Sequence, residues 1–312
     1  MKANSLFKIV IAAVLMLALA MPAIAAQIYP PWGGTPTNGK KFSLRGVNDI
    51  ADVHGDVANP QLVVFFAGNQ FMVTYELMEA FRKKYPQYKR IYWQTLPPGI
   101  EAQQIEKGSL ILGTLRIANE PDVFTSGHGS LIKRQKEKGW FDRMEDYACN
   151  RLAIMVYKGN PKEIISLKDL GRDDVKVCMP NPEWEGIATA ILKSYRAAGG
   201  KDLITKIMQT KLKAGSTWLT RMHHRQTPMR IMNKQADCGP TWYTEPYFQG
   251  MIKNPIDMVQ IPDQVNQFVT YTAAKMKAAP HAQAANDFLD FLISKEGQTV
   301  YRKYGFLPVA KK

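Results

Sequence analysis

The segment 121–129, PDVFTSGHG, begins like a buried strand and then breaks into five small or polar residues, 125–129. Ser126 supplies a hydroxyl, and Gly127 leaves the backbone N–H groups around it uncovered. His128 can donate a hydrogen bond or carry a positive charge, although a single histidine at a helix start is more often structural than a ligand. A helix is predicted to follow, and the free N–H groups of a helix start attract anions. The segment therefore indicates an anion-binding loop.

The loop 66–71, FAGNQF, has a similar arrangement after an earlier strand. Asn69 and Gln70 can each cap a helix and donate an amide hydrogen to a ligand. An ordinary helix cap would have the same residues, so this loop indicates an anion site only in combination with the other loops.

The loop 180–186, PNPEWEG, differs because it brings two carboxylates, Glu183 and Glu185, to a predicted helix start. An anion site needs hydrogen-bond donors there, so these residues are the main misfit. They can instead face water and interact favourably with the helix dipole. We include Glu183 and its neighbour Trp184 among the predicted ligand-binding residues.

A fourth loop precedes the predicted helix 228–234. Thr227 followed by Pro228 is a helix-start pattern, which would bring Arg225 and the Thr227 hydroxyl to one place. After the next strand, Trp242 and Tyr243 are expected to face the same cleft.

Enzyme signatures are missing from the sequence, including a nucleophile elbow, a Walker loop, a His-Glu-x-x-His motif and a Gly-rich dinucleotide turn. We therefore predict a binding protein without a cofactor. The least favoured alternative is a metal-dependent enzyme that uses His128, His223 and His224.

Strand and helix patterns alternate from residue 61 onwards, which is typical of α/β lobes built on mainly parallel sheets. The alternation restarts after 161 and the last helices return to the first lobe, so two crossovers join two lobes around a cleft. Hinges are expected at 150–153 and 263–269. The predicted organisation is a signal peptide at 1–25, a Pro/Gly-rich extension at 26–60, lobe I at 61–149 plus 266–312, and lobe II at 150–265.

The predicted helices follow this alternation through both lobes. They are 71–84, 100–107, 131–138, 186–197, 201–210, 228–234, 282–294 and 297–304, with an added hairpin around Gly113.

The beginning of the chain predicts export to the periplasm. Lys2 and Lys8 precede an apolar run that ends in the small-x-small signature Ala23-Ile24-Ala25, with cleavage expected near Ala25. The formal net charge of +14 falls to +12 without these two lysines, which favours an anionic ligand. Export and scattered charges argue against nucleic acid.

Three cysteines rule out a dense disulfide framework. Cys178 and Cys238, each near the end of a predicted strand, are the candidate pair, and packing without a bond is equally compatible with the sequence.

Three motifs resemble the molybdate, tungstate and sulfate group of type II periplasmic solute-binding proteins. They are PDVFTSG, ADCGPTWYTEP and the C-terminal FLDFLISKEGQTVYRKYGFLP, and the similarity in element order extends over 61–309. The resemblance implies the two-lobed type II fold, a monomer, and delivery of an oxyanion to an ABC permease. It maps the oxyanion-holding serine of the family onto Ser126.

The sequence also departs from that pattern. Gly68-Asn69-Gln70 stands where the family has serines, Glu183 and Glu185 replace small residues, and the family's fourth-loop aromatic falls on Trp242 or Tyr243. The resemblance favours molybdate or tungstate. The segment HHRQT resembles binders of phosphorylated or carboxylated organic anions, which keeps such a ligand, or a sensor subunit for it, as the alternative.

Overall fold

A computed structural model describes residues 52–112, 115–183, 185–220 and 225–309. The predicted signal peptide, most of the predicted extension, Gly113, Trp184, His223 and His224 lie outside the described residues.

Eight helices of seven or more residues occur in these ranges. They are α1 (Phe71–Lys84), α2 (Pro98–Lys107), α3 (His128–Lys138), α4 (Ile187–Thr205), α5 (Gln226–Met232), α6 (Thr244–Met251), α7 (Ala282–Ile293) and α8 (Lys295–Lys303). Both α2 and α3 end at glycines with left-handed backbone, Gly108 and Gly139, which stop a helix without steric cost. Shorter helical turns are Gly68–Gln70, Leu167–Gly171, Lys206–Thr210 and Lys211–Lys213.

Twelve strands occur among the described residues. They are β1 (Val53–Gly55), β2 (Leu62–Phe65), β3 (Ile91–Gln94), β4 (Leu110–Leu112), β5 (Leu115–Ile117), β6 (Val123–Gly127), β7 (Phe141–Tyr157), β8 (Val177–Met179), β9 (Thr217–Leu219), β10 (Cys238–Trp242), β11 (Ile256–Gln260) and β12 (Phe268–Met276). Ten form one sheet in the order β1-β3-β2-β6-β12-β7-β10-β8-β9, with β11 also paired to β7, and β4 and β5 form a separate hairpin.

The strand β7 runs through both lobes. Its residues 141–151 pair with β12, and its residues 152–157 pair with β10 and β11. We call the part built on β1–β6 and β12 lobe I and the part built on β8–β11 lobe II. The pairs β2–β3 and β2–β6 of lobe I and β8–β9 and β8–β10 of lobe II are parallel. The edge strand β1 pairs antiparallel with β3, and β7 and β12 run antiparallel to their neighbours, so the sheet as a whole is mixed.

Apolar residues cover both faces of the lobe I sheet. On one face α1, α7 and α8 bury Phe81, Phe288 and Phe291, and on the other α2 and α3 enclose Phe124 and Leu131. Burial on both faces is why the strands of lobe I, such as LVVF, are apolar throughout instead of alternating.

The core of lobe II lies between its sheet and α4, where Ile187, Ile191 and Tyr195 pack on Val177 and Cys238. The helix α6 also contacts lobe I, because Phe248 packs into the lobe I core beside Phe71.

The structure confirms the two-lobed α/β architecture and most predicted elements. The helix predicted at 71–84 has the same bounds in the structure, and the hairpin predicted around Gly113 is present as β4 and β5. The helices predicted at 186–197 and 201–210 join into α4, which is kinked at Gly199 and Gly200 and continues through a π-helical turn.

Several described elements were missed by the sequence analysis, among them the helical turn Leu167–Gly171. Residues 53–55, which showed no usable periodicity, form β1 on the edge of the sheet beside β3, and β9 and α6 were also not predicted.

All three cysteines are free, and Cys178 and Cys238 are buried. Of the alternatives open from sequence, the structure therefore has packing without a bond. Among the described helices, none combines the length and apolar character that a bilayer crossing requires.

Candidate functional site

A cleft of about 610 Å³ lies between the two lobes. Lobe I contributes the loops that follow β2, β3 and β6, and lobe II contributes the start of α4 and the end of β10. Residues 267–269 and Tyr271 complete the lining. The loops therefore meet at the carboxyl ends of parallel strands, where open α/β sheets bind their ligands.

The start of α3 presents hydrogen-bond donors to this cleft. The helix has no side-chain cap, so the N–H groups of its first turn are free of protein side chains. Ser126, 4% exposed, and Gly127 line the cleft beside Ser130. Ser126 is held by the pairing of β6 with β12, opposite Thr272. The cleft thus brings the Ser126 hydroxyl next to a helix start, which suits an anion.

The loop after β2 contributes Ala67, Gly68 and Asn69 to the cleft. The Ala67 N–H donates to Thr125 Oγ1 at 2.9 Å, which ties this loop to β6. The Asn69 amide donates to the hydroxyl of Tyr271, another cleft residue. Burial raises the pKa of Tyr271, so its phenol stays protonated.

Gln70 does not line the cleft, contrary to the sequence analysis. Its side chain is fully buried inside lobe I, where Oε1 accepts from the hydroxyl of Tyr301 at 2.7 Å and Nε2 lies 2.6 Å from the hydroxyl of Tyr147. Adjacent residues in the short helical turn point in different directions, so only Asn69 of the pair faces the ligand space.

His128 faces a neighbouring surface depression instead of the cleft. Its Nδ1 lies 2.8 Å from Asp146 Oδ1 and 3.1 Å from Thr272 Oγ1. These contacts are structural and hold the start of α3 against β7 and β12.

The lobe II wall is acidic where it meets the start of α4. Glu183 is exposed and Glu185 is buried, and both line the cleft. Glu185 Oε1 accepts hydrogen bonds from the Asn181 N–H at 3.0 Å and from the Thr220 hydroxyl. A protein carboxylate therefore already lies at the helix start of lobe II, while the helix start of lobe I is open to the cleft.

Arg225 and Thr227 lie away from the cleft as well. Thr227 is fully buried inside lobe II, and its hydroxyl contacts Cys178 Sγ at 3.7 Å. The Arg225 guanidinium is directed into lobe I, where it pairs with Asp52. The helix start at α5 therefore supplies no donor to the ligand space.

Trp242, not Tyr243, faces the cleft. The Tyr243 ring stacks on Tyr247 at 5.9 Å, with the guanidinium carbon of Arg151 4.9 Å from its centroid. Of the two aromatic residues that the sequence left open, Trp242 is therefore the one that lines the cleft.

Several cleft residues were missed by the sequence analysis. They are residues 97–100 and Gln103 after β3, Arg134 of α3, Lys193 of α4, and residues 267–269 and Tyr271 around the start of β12. The loop after β3 could have been found, because it joins a parallel strand to a helix that begins with Pro98-Gly99.

No group of three or more histidine, cysteine, aspartate or glutamate side chains suited to a metal ion occurs in the described part of the chain. The predicted alternative of a metal site at His223 and His224 lies outside those residues.

Comparisons with known proteins agree with this geometry. A family model described as "Bacterial extracellular solute-binding protein" matches residues 62–307. No curated protein matches the sequence.

Solved structures share the fold at low identity. The sulfate-binding protein SubI from Mycobacterium tuberculosis is 19% identical with a TM-score of 0.64, over 80% of this chain and 86% of that one. The periplasmic molybdate-binding protein from Azotobacter vinelandii is 15% identical with a TM-score of 0.64, over 80% and 99%. PEB3 from Campylobacter jejuni with bound L-phospholactate is 16% identical with a TM-score of 0.59, over 80% and 100%.

Proposed function

The chain belongs to the bacterial extracellular solute-binding proteins, and from this we propose that it binds a small anion in the interlobe cleft and delivers it to an ABC permease. The observation that carries the proposal is the uncapped start of α3 beside the buried Ser126. The protein would work as a monomer in the periplasm, after cleavage of its signal peptide near Ala25.

The binding step follows from the donors at the α3 start. Hydrogen bonds to a charged acceptor contribute about 1.5–3 kcal/mol each once water is excluded. Ser126 and the N–H groups of the first turn of α3 would hold the anion, and Asn69 would position Tyr271, which pairs with Gly127 beside the α3 start. Exclusion of water by both lobes strengthens each of these contacts.

Molybdate or tungstate is the first candidate ligand. It is supported by the fold shared with a molybdate-binding protein and by the serine at the start of α3. A tetrahedral oxyanion needs only neutral donors, which this part of the cleft offers.

A phosphorylated or carboxylated organic anion is the second candidate, and the walls of the cleft favour it. Ile100, Ile187, Trp242 and Phe268 provide apolar surface that a small inorganic oxyanion would not use. Glu183 lies across the cleft from the α3 start and can accept a hydrogen bond from a ligand hydroxyl, which molybdate and tungstate lack when fully ionised.

A thermal-shift panel tests both candidates with the ligand-stripped mature protein. Molybdate, tungstate, sulfate, phosphate, phosphoglycerate, L-phospholactate and citrate would each be added at about 100 times a micromolar Kd, where a bound ligand stabilises by about 2.7 kcal/mol. A shift with molybdate or tungstate alone supports the first candidate, and a shift with organic anions alone supports the second.

Ser126→Ala is the matched variant for that panel. We expect it to lose most of the shift, whereas Ser216→Ala, which removes a hydroxyl remote from the cleft, keeps the shift unchanged. The proposal fails if none of the anions stabilises the protein, or if Ser126→Ala binds as tightly as the unmodified chain.

A further inference from the structure

Arg225 reaches from lobe II into lobe I. It lies directly before α5, whose Ile231 packs on Met155 and Cys178 of lobe II. Its Nη2 donates to the Thr95 carbonyl oxygen at 3.2 Å and forms an ion pair with Asp52. Both partners belong to lobe I, so these contacts join the two lobes.

The surroundings of the ion pair exclude water. The Arg225 side chain is 8% exposed and that of Asp52 is 16% exposed. The guanidinium carbon lies 4.4 Å from the centroid of the Phe71 ring, which gives a cation–π contact at the start of α1. An exposed ion pair contributes little, but breaking a buried one leaves an uncompensated charge at a large cost.

The lobe I half of the contact is fixed by its own hydrogen bonds. The Thr95 hydroxyl donates to Asp52 Oδ1 at 3.2 Å, and the Thr95 N–H donates to the Asp52 carbonyl oxygen at 2.9 Å. Next to them, His54 stacks on Trp93 at 5.2 Å and lies 2.9 Å from the hydroxyl of Tyr75. Hydrogen bonds within lobe I therefore fix the position of the Asp52 carboxylate independently of Arg225.

The contact is separate from the ligand space. Asp52, Thr95 and Arg225 do not belong to the cleft lining, although Thr95 precedes the cleft residue Pro97 by two positions. An apolar contact lies beside it, where Phe71 meets Phe248 of α6 with ring centroids 5.7 Å apart. Separation of the lobes at this edge would expose the buried charge of Arg225.

We propose that Arg225, Asp52 and Thr95 form a clasp that holds lobe II against lobe I, which makes Arg225 a positioning residue that controls how fast the ligand leaves. The part concerning ligand release rests on the proposed function, whereas the part concerning the lobes does not. The clasp also assigns a role to residues 52–55, because β1 adds a strand to the sheet and Asp52, directly before β1, supplies the carboxylate that Arg225 requires.

Small-angle X-ray scattering of the whole mature protein tests the clasp without any ligand. We expect the unmodified protein to scatter as the structure with Arg225 paired to Asp52, and Arg225→Gln and Asp52→Asn to have a larger radius of gyration. Glu76→Gln, which removes an exposed ion pair with Lys303 inside lobe I, is the matched control and should leave the radius unchanged. Curves of both clasp variants that superimpose on that of the unmodified protein would overturn the proposal.

Ligand release gives the second readout. With whichever anion of the panel binds, we expect Arg225→Gln and Asp52→Asn to release it at least about tenfold faster, while Glu76→Gln releases it at the original rate. Equal release rates in all four proteins would contradict a role in release. If no anion of the panel binds, the proposed ligand fails, and the scattering experiment still decides the clasp.

Two further variants keep the test decisive if a single substitution prevents folding. Arg225→Lys retains the charge without the planar fork, and we expect it to lie between the unmodified protein and Arg225→Gln. The double variant Asp52→Arg, Arg225→Asp exchanges the two charges. Its radius of gyration should return part of the way to that of the unmodified protein. If the double variant keeps a larger radius of gyration and Arg225→Lys scatters like the unmodified protein, the ion pair does not hold the lobes together.

Discussion

Two buried side chains of lobe I, Glu101 and His54, are kept in their neutral forms by their surroundings. Glu101 of α2 is fully buried, and burial raises the pKa of its carboxyl well above the usual range. His54 of β1 is 5% exposed, and burial together with the nearby Arg225 lowers the pKa of its ring to about 4. Both groups therefore make the stability of the protein depend on pH.

The first prediction concerns Glu101→Gln. A carboxyl whose pKa is raised on folding stabilises the folded state below its unfolded pKa and loses that contribution as pH rises. Glutamine has a similar shape and no charge, so we expect the variant to gain stability relative to the unmodified protein between about pH 5 and about pH 8. Urea unfolding at both pH values measures this, and a stability difference that does not change with pH would contradict it.

The second prediction concerns His54→Gln and has the opposite sign. Because folding lowers the pKa of His54, the unfolded chain takes up the proton first, and the unmodified protein loses stability as pH falls from about 6.5 towards about 4. Glutamine cannot take up that proton. The stability advantage of the unmodified protein over His54→Gln should therefore shrink between about pH 7 and about pH 4.5. An advantage that grows on acidification would refute the neutral, buried state of His54.

Residue type alone identified some of the residues that line the cleft and wrongly assigned others to it. Ser126, Asn69 and Trp242 line the cleft as expected, because Ser126 and Trp242 lie at the ends of β6 and β10 and Asn69 lies in the turn after β2, where the strand ends meet the cleft. Gln70 and Thr227 have suitable chemistry but are turned into the cores of their lobes. A helix-start pattern locates the turn but leaves open which side of it faces the ligand.

At the scale of elements, one glycine decides how closely β10 approaches its neighbours. A Cβ at Gly239 would lie 2.5 Å from the Cys178 carbonyl oxygen and closer still to Thr227 Cγ2. At Gly239, the space between β10, β8 and α5 therefore has room for a hydrogen atom but not for a Cβ atom.

The third prediction follows from that contact. Gly239→Ala should destabilise the protein by about 1–3 kcal/mol, because backbone and a buried side chain must move to accept the methyl group. Gly250→Ala in α6 is the control, since nothing lies within 4 Å of the added Cβ. It should stabilise by about 0.5–1 kcal/mol through helix propensity. Equal melting temperatures of the two variants would contradict the close packing of β10.

Element boundaries were predictable where the chain carries explicit signals. The helix α1 follows a buried strand and ends in the basic run Arg82-Lys83-Lys84, which suits a helix end, and its predicted bounds are those observed. The strand β1 has three residues, too few for a two-residue period to be recognised, and it depends on pairing with β3. Tertiary context decides such short elements.

At the scale of the whole molecule, Asn266 fastens the second crossover to the first. Its Oδ1 accepts from the Leu152 N–H at 2.9 Å, and its Nδ2 donates to the carbonyl oxygens of Leu152 at 3.0 Å and Ile261 at 3.1 Å. The residue is buried and lies within the hinge predicted at 263–269.

The fourth prediction is that Asn266→Ala weakens the link between the lobes. Loss of these hydrogen bonds leaves buried backbone groups without partners, and we expect a cost of about 2–3 kcal/mol. Urea unfolding should also become less cooperative, with a smaller slope. Asn59→Ala on the surface of lobe I is the control and should behave like the unmodified protein. If the slope and midpoint of urea unfolding are unchanged in Asn266→Ala, this residue does not link the two crossovers.

The alternation of strands and helices was sufficient to predict a two-lobed α/β protein, because that order admits few packing arrangements. The residue boundaries of the lobes remain a prediction. The contact of Arg225 with Asp52 was not accessible from sequence, since it joins residues 173 positions apart with no shared motif.

The course of β7 limits how this protein can be divided. Its 17 residues supply lobe I with a strand beside β12 at one end and lobe II with a strand between β10 and β11 at the other. A gene cut within it would give two fragments that each lack part of this shared strand, so we expect neither to accumulate as a folded product when expressed by itself. Co-expressed fragments would have to reassemble that strand across the break. A split reporter or a circular permutant is therefore better opened at a surface connection, such as the turn at Gly159, than along β7.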